Sequence, residues 1–279
     1  SRKGVFLIDW WNCQTWAAAP AEPGGLPVGL AASHSPKLGQ ALGRAAELSF
    51  EGQVIIERFV EGVEFGGDAW IQDGRIEALF VTRKDMQGTI VRGHLRPAGL
   101  SSVHHEALAD TLERHVRHAG YLSGPLNFDV RLTGEGIPIV LELAPRLGGN
   151  WIPQLIAYSS GADLFEAVVR NALRESVSLE VLKLRPAASF VIGSGEDRLL
   201  EEDIPVDDVK NAIGPLIELE LDFRAGDRVE PFRDSAQQVG RALFDLESAR
   251  YEEVTAELER TLTPWLAPTR PPARPEAER

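Results

Sequence analysis

The feature that most constrains the fold is a pair of alternating apolar runs in residues 127–150. Apolar side chains occupy every second position from Phe128 to Leu132 and again from Ile137 to Leu143. A period of two is typical of β-strands with one buried face. Residues 133–136, Thr-Gly-Glu-Gly, separate the runs and are turn formers. The segment therefore predicts a β-hairpin.

The register of this hairpin decides which side chains meet across the strands. A loop of two or of four residues places Asp129 opposite Val140. Asp129 and Glu142 then share the polar face on a cross-strand diagonal of about 7–8 Å. A hard cation can lie between two such carboxylates. A surface hairpin whose polar face is only solvated is the alternative.

The residues that follow the second strand favour the binding of an anion. Arg146 offers a fixed cation, and Gly148-Gly149 provides backbone that can approach a phosphate closely. Phosphoryl transfer uses these parts together, because Mg²⁺ and an arginine both neutralise the charge of the transferred group.

These residues resemble the ATP-grasp superfamily of carboxylate–amine and carboxylate–thiol ligases. The block NFDVRLT…PIVLELAPRLGGN is similar to its metal-binding hairpin. The resemblance implies that Asp129 and Glu142 bridge Mg²⁺, or Mn²⁺ in its place, to the phosphates of ATP. It also implies that Arg146 steadies the acyl-phosphate and tetrahedral intermediates, and we expect the amides of Gly148, Gly149 and Asn150 to stabilise the oxyanion. Ala144 departs from the many members that have asparagine there, which weakens metal ligation.

A second block, residues 54–64, supports the resemblance. VIIERFVEGVE predicts a buried strand that becomes a connector at Gly62. It resembles the hinge that contacts adenine in the family. The resemblance implies that Glu64 holds the ribose hydroxyls and that the adenine meets the backbone of Glu57, Arg58, Phe59 and Val60. A solvated edge charge is the alternative for Glu57 and for Glu64.

Three further strands are predicted at 68–71, 75–82 and 87–91. The following segment, 92–97, resembles the family segment that leads into a helix, which makes His94 a candidate near the transferred phosphate. A loop histidine bonded to backbone is the alternative. Arg83 and Lys84 could reach a phosphate, but a charged pair after a strand is typical of a solvated strand end, and both are left without an assigned role.

Helices are predicted from apolar spacing of three and four residues at 104–119, 151–156 and 163–173. The histidines around the first helix give no closed four-ligand zinc set. Trp151 and Tyr158 are either core residues or walls of a substrate pocket. The last helical pair resembles the family branch that joins amino acids.

The chain is predicted to be α+β, with an ATP-grasp C-terminal core of antiparallel sheet and helices, and a small C-terminal α+β domain. The predicted boundaries are an unassigned Trp- and Pro-rich start at 1–36, the core at 37–180, the small domain at 181–265 and a disordered tail at 266–279. The small domain is expected to hold short strands between 187 and 243 and a closing helix at 247–262. Because the usual N-terminal domain has no counterpart, we expect either a fragment or one polypeptide of a split enzyme. The isolated chain is then expected to bind ATP weakly and to turn over little unless an N-terminal partner chain supplies the rest.

Composition excludes some functions. Forty-two acidic against 29 basic residues give a net charge of −13, which argues against nucleic acid and acidic membranes as partners. One cysteine and the lack of a membrane-spanning run favour a cytoplasmic protein.

The resemblance therefore implies an ATP- and Mg²⁺-dependent ligase that joins a small-molecule carboxylate to an amine, an amino acid being the expected substrate, through an acyl phosphate. Two alternatives stay open: a non-catalytic or regulatory subunit of a split enzyme, and a bicarbonate-activating carboxylase of the purine or biotin-dependent type. The sequence identifies neither substrate and leaves the oligomeric state open, a homo-oligomer included.

Overall fold

The structure is a computed structural model that describes residues 36–181 and 184–269 of the chain. These described residues fall into two compact units, which divide between Phe59 and Val60. The described part of the first unit contains one helix, α1 (Pro36–Leu48), and residues 49–59 follow it without forming a strand. Lys3 and the tryptophans of the N-terminal segment lie outside the described residues.

The described part of the second unit contains ten strands and five α-helices. In chain order its elements are β1 (Val63–Gln72), β2 (Arg75–Gln87), β3 (Ile90–Arg96), α2 (Ser102–Ala119), β4 (Gly124–Leu132), β5 (Pro138–Ala144), α3 (Ile152–Ser160), α4 (Leu164–Ala172), β6 (Ala187–Ile192), β7 (Arg198–Leu199), α5 (Val206–Ala212), β8 (Leu216–Leu221), β9 (Arg228–Val229), β10 (Gly240–Asp245) and α6 (Tyr251–Thr261). The expected mixture of antiparallel strands and helices is confirmed.

Eight of the strands form one antiparallel sheet in the order β5-β4-β1-β2-β3-β6-β10-β8. The predicted division at residues 180 and 181 does not interrupt it, because β3 pairs directly with β6, with His94 opposite Ser189. The C-terminal strands therefore extend the sheet that carries the hairpin. Strands β7 and β9 form a separate two-stranded ribbon.

Alternation along the strands gives the sheet one apolar face. Helix α2 covers this face beside β1 and β4, with Leu108, Leu112 and Val116 packed against Phe128 and Val130. Beside β6 and β10 the same face is covered by α5 and α6. On the opposite face, α3 packs over Phe80 and Ala187, and the rest of that face carries the polar residues described below.

Helix α2 begins at Ser102, two residues before the predicted start at His104. The Ser101 side chain accepts a hydrogen bond from the His104 amide, and Gly120 ends the helix in a left-handed conformation. This is the usual capping arrangement of a helix. Helix α4 begins after the predicted cap Asp163, whose carboxylate accepts from the Glu166 amide. Both predicted helices are confirmed.

Several sequence expectations about local structure are wrong. The expected buried strand at 54–62 is not formed, and Ile55 is 84% exposed, because no other described strand pairs with this segment. The strand expected at 87–91 instead contains the turn at Gly88, so β2 continues to Gln87 and β3 includes the predicted loop around His94.

The beginning of the predicted disordered tail is also ordered. Leu266 and Ala267 are buried, and the Ala267 carbonyl accepts a hydrogen bond from the Gly195 amide. Apolar burial offsets the cost of ordering this short segment. Residues 270–279 lie outside the described residues. No helix in the described ranges is both long enough and apolar enough to cross a membrane.

Candidate functional site

The hairpin at the edge of the sheet brings the two predicted metal-binding carboxylates closer together than expected. Strand pairing continues to Leu132 opposite Pro138, and Thr133 and Ile137 also bond to each other, which leaves a three-residue loop with Gly136 at a φ of +78°. A three-residue hairpin loop commonly ends in such a left-handed residue. The predicted even-length loop is therefore wrong.

A bulge shifts the register again before the strands reach the site. Val130 lies opposite Val140, whereas Asp129 lies opposite Glu142, so Leu141 is the extra residue. The two carboxylates are thus direct cross-strand neighbours rather than diagonal ones. Directly opposed residues have Cβ atoms about 4.5–5.5 Å apart.

The solvent exposure of the Asp129 and Glu142 side chains is compatible with a bound cation that also contacts a ligand. The Asp129 side chain is 19% exposed and the Glu142 side chain is 55% exposed. In the described ranges no group of three or more His, Cys, Asp or Glu residues could hold a metal. Two carboxylates nevertheless suit Mg²⁺, which keeps several waters and uses phosphate oxygens to complete its coordination. Ala144 adds no ligand here, and it lies opposite Asn127.

Lys84 lies at the centre of the polar face. Its side chain is 2% exposed, and its Nζ atom forms ion pairs with Asp129 and, at 3.1 Å, with Glu64. The expectation of a solvated strand end is wrong because β2 continues past it. Alternation from Phe80 through Thr82 is the signal that could have placed Lys84 on this face.

Glu64 links this lysine to a second cation. Its other carboxylate oxygen pairs with Arg131, whose guanidinium also donates to the Val60 carbonyl at 2.7 Å. Glu64 lies inside β1 and is buried, so the alternative of a solvated edge charge is excluded. Its predicted contact with ribose stays a prediction.

Gly66 makes the close packing of these charges possible. A Cβ atom at this position would lie 2.7 Å from Lys84 Cε and 2.9 Å from Asp129 Oδ1. Any side chain here would occupy the space in which the two groups meet.

His94 is buried beside Lys84 on β3. Burial, together with the nearby Lys84 charge, lowers the pKa of His94 to about 3, so the ring is neutral. Thr82 Oγ1 donates to the Gly66 carbonyl at 3.0 Å and lies 2.9 Å from His94 Nδ1. Since that hydroxyl hydrogen is already used, Nδ1 carries the ring proton and Nε2 retains its lone pair. The alternative of a loop histidine bonded to backbone is therefore wrong.

The loop that carries Arg146 is held by a buried carboxylate. Gly148 N donates to Asp68 Oδ1 at 2.9 Å, and Asn127 Nδ2 donates to the same oxygen at 3.0 Å. The Asn127 side-chain oxygen, Oδ1, in turn accepts from Arg146 Nη1 at 3.4 Å. Arg146 also lies 3.6 Å from Glu142. No role was predicted for Asp68 or Asn127, although strand alternation places both on the face of Asp129.

Burial raises the pKa of Asp68 to about 6, despite the opposing effects of the Gly148 amide, Asn127 and Arg146. The Gly148 amide already donates its hydrogen bond to this carboxylate, so in this arrangement it does not face an oxyanion. Of the glycine pair expected to face an oxyanion, Gly149 is the one with open space at its α-carbon.

Asn150 and Trp151 both have left-handed backbone, with φ values of 52° and 60°. For a bulky residue such as tryptophan this is an unfavourable conformation, and such residues cluster at functional sites. Trp151 is buried against Leu155, Ala187 and Leu243. It is therefore a core residue in this arrangement.

The predicted adenine contacts, Glu57, Arg58, Phe59 and Val60, are divided between the two compact units at Phe59. Phe59 is about half exposed. The Val60 carbonyl is tied to Arg131 and thereby to Glu64. The roles of these four residues in nucleotide binding stay predictions.

Comparison with known proteins supports the same fold. Residues 40–154 match the ATP-grasp domain family. An L-arginine-specific L-amino acid ligase of Bacillus subtilis is 26% identical over 200 residues, which are 70% of this chain and 48% of that protein. Carnosine synthase 1 of Homo sapiens is 30% identical over 128 residues, which are 45% of this chain and 15% of that protein.

A solved structure, an L-amino acid ligase from Bacillus licheniformis, shares this fold with a TM-score of 0.63 at 24% identity, covering 75% of this chain and 52% of that one. The chain spans less than half the length of the curated relatives named above. The matched residues include the hairpin, the buried lysine and the Arg146 loop, so this part of the chain is similar to an ATP-grasp domain.

Proposed function

We propose that the protein is an ATP-dependent ligase that forms an amide bond between a carboxylate and an amine. The observation that carries this proposal is Lys84, a buried lysine paired with Asp129, which itself lies directly opposite Glu142. Buried cations beside a two-carboxylate metal site are the parts that phosphoryl transfer requires.

The proposed reaction has two steps. In the first, a substrate carboxylate oxygen attacks the γ-phosphorus of ATP, the bond to the β–γ bridging oxygen breaks, and ADP leaves. In the second, the amine attacks the acyl carbon, phosphate leaves with its bonding electrons, and the amine gives up a proton. The products are an amide, ADP and phosphate.

Each residue of the polar face has a proposed part. Asp129 and Glu142 would hold Mg²⁺, which when bound neutralises phosphate charge. Lys84 would exchange its contact with Asp129 for a phosphate oxygen. Arg146, with Gly149 and Asn150, would stabilise the negative oxygen that develops on the substrate. His94 would orient a substrate through the lone pair on Nε2.

Nucleotide recognition is proposed for the residues that precede and begin β1. Backbone of Glu57, Arg58, Phe59 and Val60 would meet adenine, and Glu64 would take ribose hydroxyls. The 26%-identical L-amino acid ligase supports an amino acid as one substrate.

The proposal is tested by measuring ATP and ADP binding by calorimetry with and without Mg²⁺. We expect Mg²⁺-dependent binding by the unchanged protein and its loss in Asp129→Asn. Glu135→Gln is the matched control, because Glu135 is exposed in the loop of the same hairpin. Equal, Mg²⁺-independent binding by all three proteins would contradict the metal role.

Product analysis then separates the reaction types. Amide formed from amino acids, together with ADP, supports the proposed ligase. Bicarbonate-dependent phosphate release supports a carboxylase instead. Nucleotide binding without either product supports a regulatory or non-catalytic module.

A further inference from the structure

Arg96, the last residue of β3, is a buried cation that no side chain neutralises in the described part of the chain. It is 8% exposed, yet its Nε and Nη1 atoms have no hydrogen-bond partner there. Its guanidinium carbon lies 5.4 Å from the centre of the Phe80 ring. A contact with an aromatic face stabilises a cation but satisfies none of its N–H groups.

Within residues 36–181 and 184–269, no acidic side chain compensates the charge of Arg96. Burial is the one cause that lowers the pKa of Arg96, to about 10, and no carboxylate raises it. The side chain therefore stays charged at neutral pH. An unpaired buried charge is costly, and a ligand carboxylate would remove that cost.

Ser189 is a second buried group without a partner beside it. Ser189 lies opposite His94 on β6, whereas Arg96 lies opposite Ala187, so Arg96 and Ser189 are diagonal neighbours on one face. The Ser189 hydroxyl is buried and, like Arg96, has no hydrogen-bond partner in the described ranges. Diagonal residues are about 7–8 Å apart, within reach of a long side chain.

Helix α3 covers this pair. Ile152 and Ile156 pack on Phe80, while Trp151 and Leu155 pack on Ala187. The residues that lead into α3, Asn150 and Trp151, have left-handed backbone. Such backbone conformations cluster at functional sites, which supports a ligand site beside the start of α3.

We infer that Arg96 and Ser189 bind the carboxylate that an amino acid substrate keeps after its amine has been acylated. This inference rests on the proposed ligase function and adds the substrate class. A planar guanidinium matches a carboxylate with two parallel hydrogen bonds, and a hydroxyl supplies a third. The site adjoins His94 and Lys84, so a carboxylate held here places its molecule beside the proposed phosphate site.

The test compares amino acids with their carboxamides, which keep the amine and side chain but lack the negative charge. Binding of both is measured by calorimetry, with and without Mg²⁺ and a non-hydrolysable ATP analogue. We expect the unchanged protein to bind the acid about 10- to 100-fold more tightly than the amide, as charge-assisted hydrogen bonds require. In Arg96→Met the acid is expected to lose this advantage while amide and nucleotide affinities stay the same.

Two further variants keep the test decisive if Arg96→Met does not fold. Arg96→Lys retains the charge but not the two-bond geometry, so an intermediate preference is expected. Ser189→Ala is expected to reduce the preference by about 3- to 10-fold, the effect of one hydrogen bond. Arg83→Met is the control, because Arg83 is exposed on the neighbouring strand.

A preference for the acid that persists in Arg96→Met and Ser189→Ala would overturn the inference. So would an unchanged protein that binds acid and amide equally or binds neither. Release of ADP is followed separately. If the protein turns over amino acids but substitution of Arg96 does not change the preference for the acid, the carboxylate site alone is refuted. If the carboxylate binds as expected but no turnover occurs, the ligase proposal alone is refuted.

Discussion

At the scale of single residues, burial acts in opposite directions on two groups of the polar face. His94 is held neutral because its charged form is poorly solvated, and Asp68 is pushed toward its protonated form for the same reason. Their contributions to stability therefore change with pH in opposite senses. Each can be isolated by a single substitution.

His94 should make the protein less stable in mild acid. Its pKa is about 3 in the folded state and 6.5 when unfolded, so the unfolded chain binds more protons between these values. Stability is then complete above pH 6.5 and falls as pH decreases toward 3, by at most about 1.4 kcal/mol per pH unit. Urea unfolding at pH 7 and pH 5 should show this loss in the unchanged protein and a smaller one in His94→Asn. The exposed His105→Asn is the control, and an equal loss in all three proteins would contradict the assignment.

Asp68 should have the reverse effect. Its folded pKa of about 6 lies above its ordinary 3.8, so the folded protein binds more protons between these values. The contribution of Asp68 is complete below pH 3.8 and is lost as pH rises through about 6. The total is about 3 kcal/mol. Asp68→Asn should therefore be more stable than the unchanged protein at pH 7.5, with little difference at pH 4.

Asp73→Asn, at an exposed turn after the same strand, is the matched control for Asp68. The free energy of unfolding from urea titration is the quantity compared. A destabilised Asp68→Asn at pH 7.5 would mean that the bonds to Gly148 and Asn127 outweigh the cost of burying the charge.

At the scale of elements, the β4–β5 hairpin and β1 together shape the metal site. The bulge at Leu141 turns a diagonal pair of carboxylates into a direct one, and Gly66 on the next strand leaves room for Lys84 to reach them. Bulges commonly re-aim side chains near functional sites. The site is thus made by strand geometry as much as by residue type.

Gly66→Ala should weaken nucleotide binding while retaining the fold. The added methyl would meet Lys84 Cε and Asp129 Oδ1, which are side-chain atoms that can move away. It would also lie 3.1 Å from the Phe128 carbonyl oxygen, a contact that a shift of a few tenths of an ångström relieves. Mg²⁺-dependent ATP affinity from calorimetry is expected to fall by at least about 10-fold, or 1.4 kcal/mol. Gly134→Ala is the control, since a Cβ there meets nothing within 4 Å. Normal ATP affinity in Gly66→Ala would show that the Lys84–Asp129 contact is not part of the nucleotide site.

At the scale of the whole second unit, the β3–β6 pairing joins the hairpin region to the C-terminal strands. Residues 187–192 bond on one side to β3 and on the other to β10, so the sheet has no internal edge there. Separate domains usually have separate cores and few crossing contacts. Here the backbone ladder itself crosses the predicted boundary.

The second unit should consequently unfold as one cooperative body. Hydrogen exchange followed by mass spectrometry in rising urea should show peptides from β2 and from β10 losing protection at the same urea concentration. Peptides from α1, in the first unit, provide the internal comparison. Loss of protection in β10 well before β2 would establish an independent C-terminal domain.

The sequence was sufficient to predict the elements in which apolar residues recur at a regular spacing over a long, continuous segment. The alternation around Asp129 and Glu142 predicted the hairpin, and the spacing of Leu108, Leu112 and Val116 predicted α2, because burial of one face imposes those periods. The resemblance carried by the hairpin and by Arg146 pointed to the ATP-grasp fold. A short strand such as the one expected at 54–62 could not be judged in this way, since a strand forms only when another strand pairs with it.

Tertiary structure alone decided register, burial and charge pairing. One loop residue and one bulge placed Asp129 opposite Glu142, a difference no period-two pattern can reveal. The sequence pattern favoured a solvated strand end at Lys84, yet neighbouring strands bury it between Glu64 and Asp129. Strand alternation could place Asp68 and Asn127 on the face of Asp129, but it could not reveal the contacts of these residues or of Arg96, because residues far away in the chain make them. The physical reason is that sequence patterns record which face is apolar, whereas the chemistry of a site depends on distances between strands.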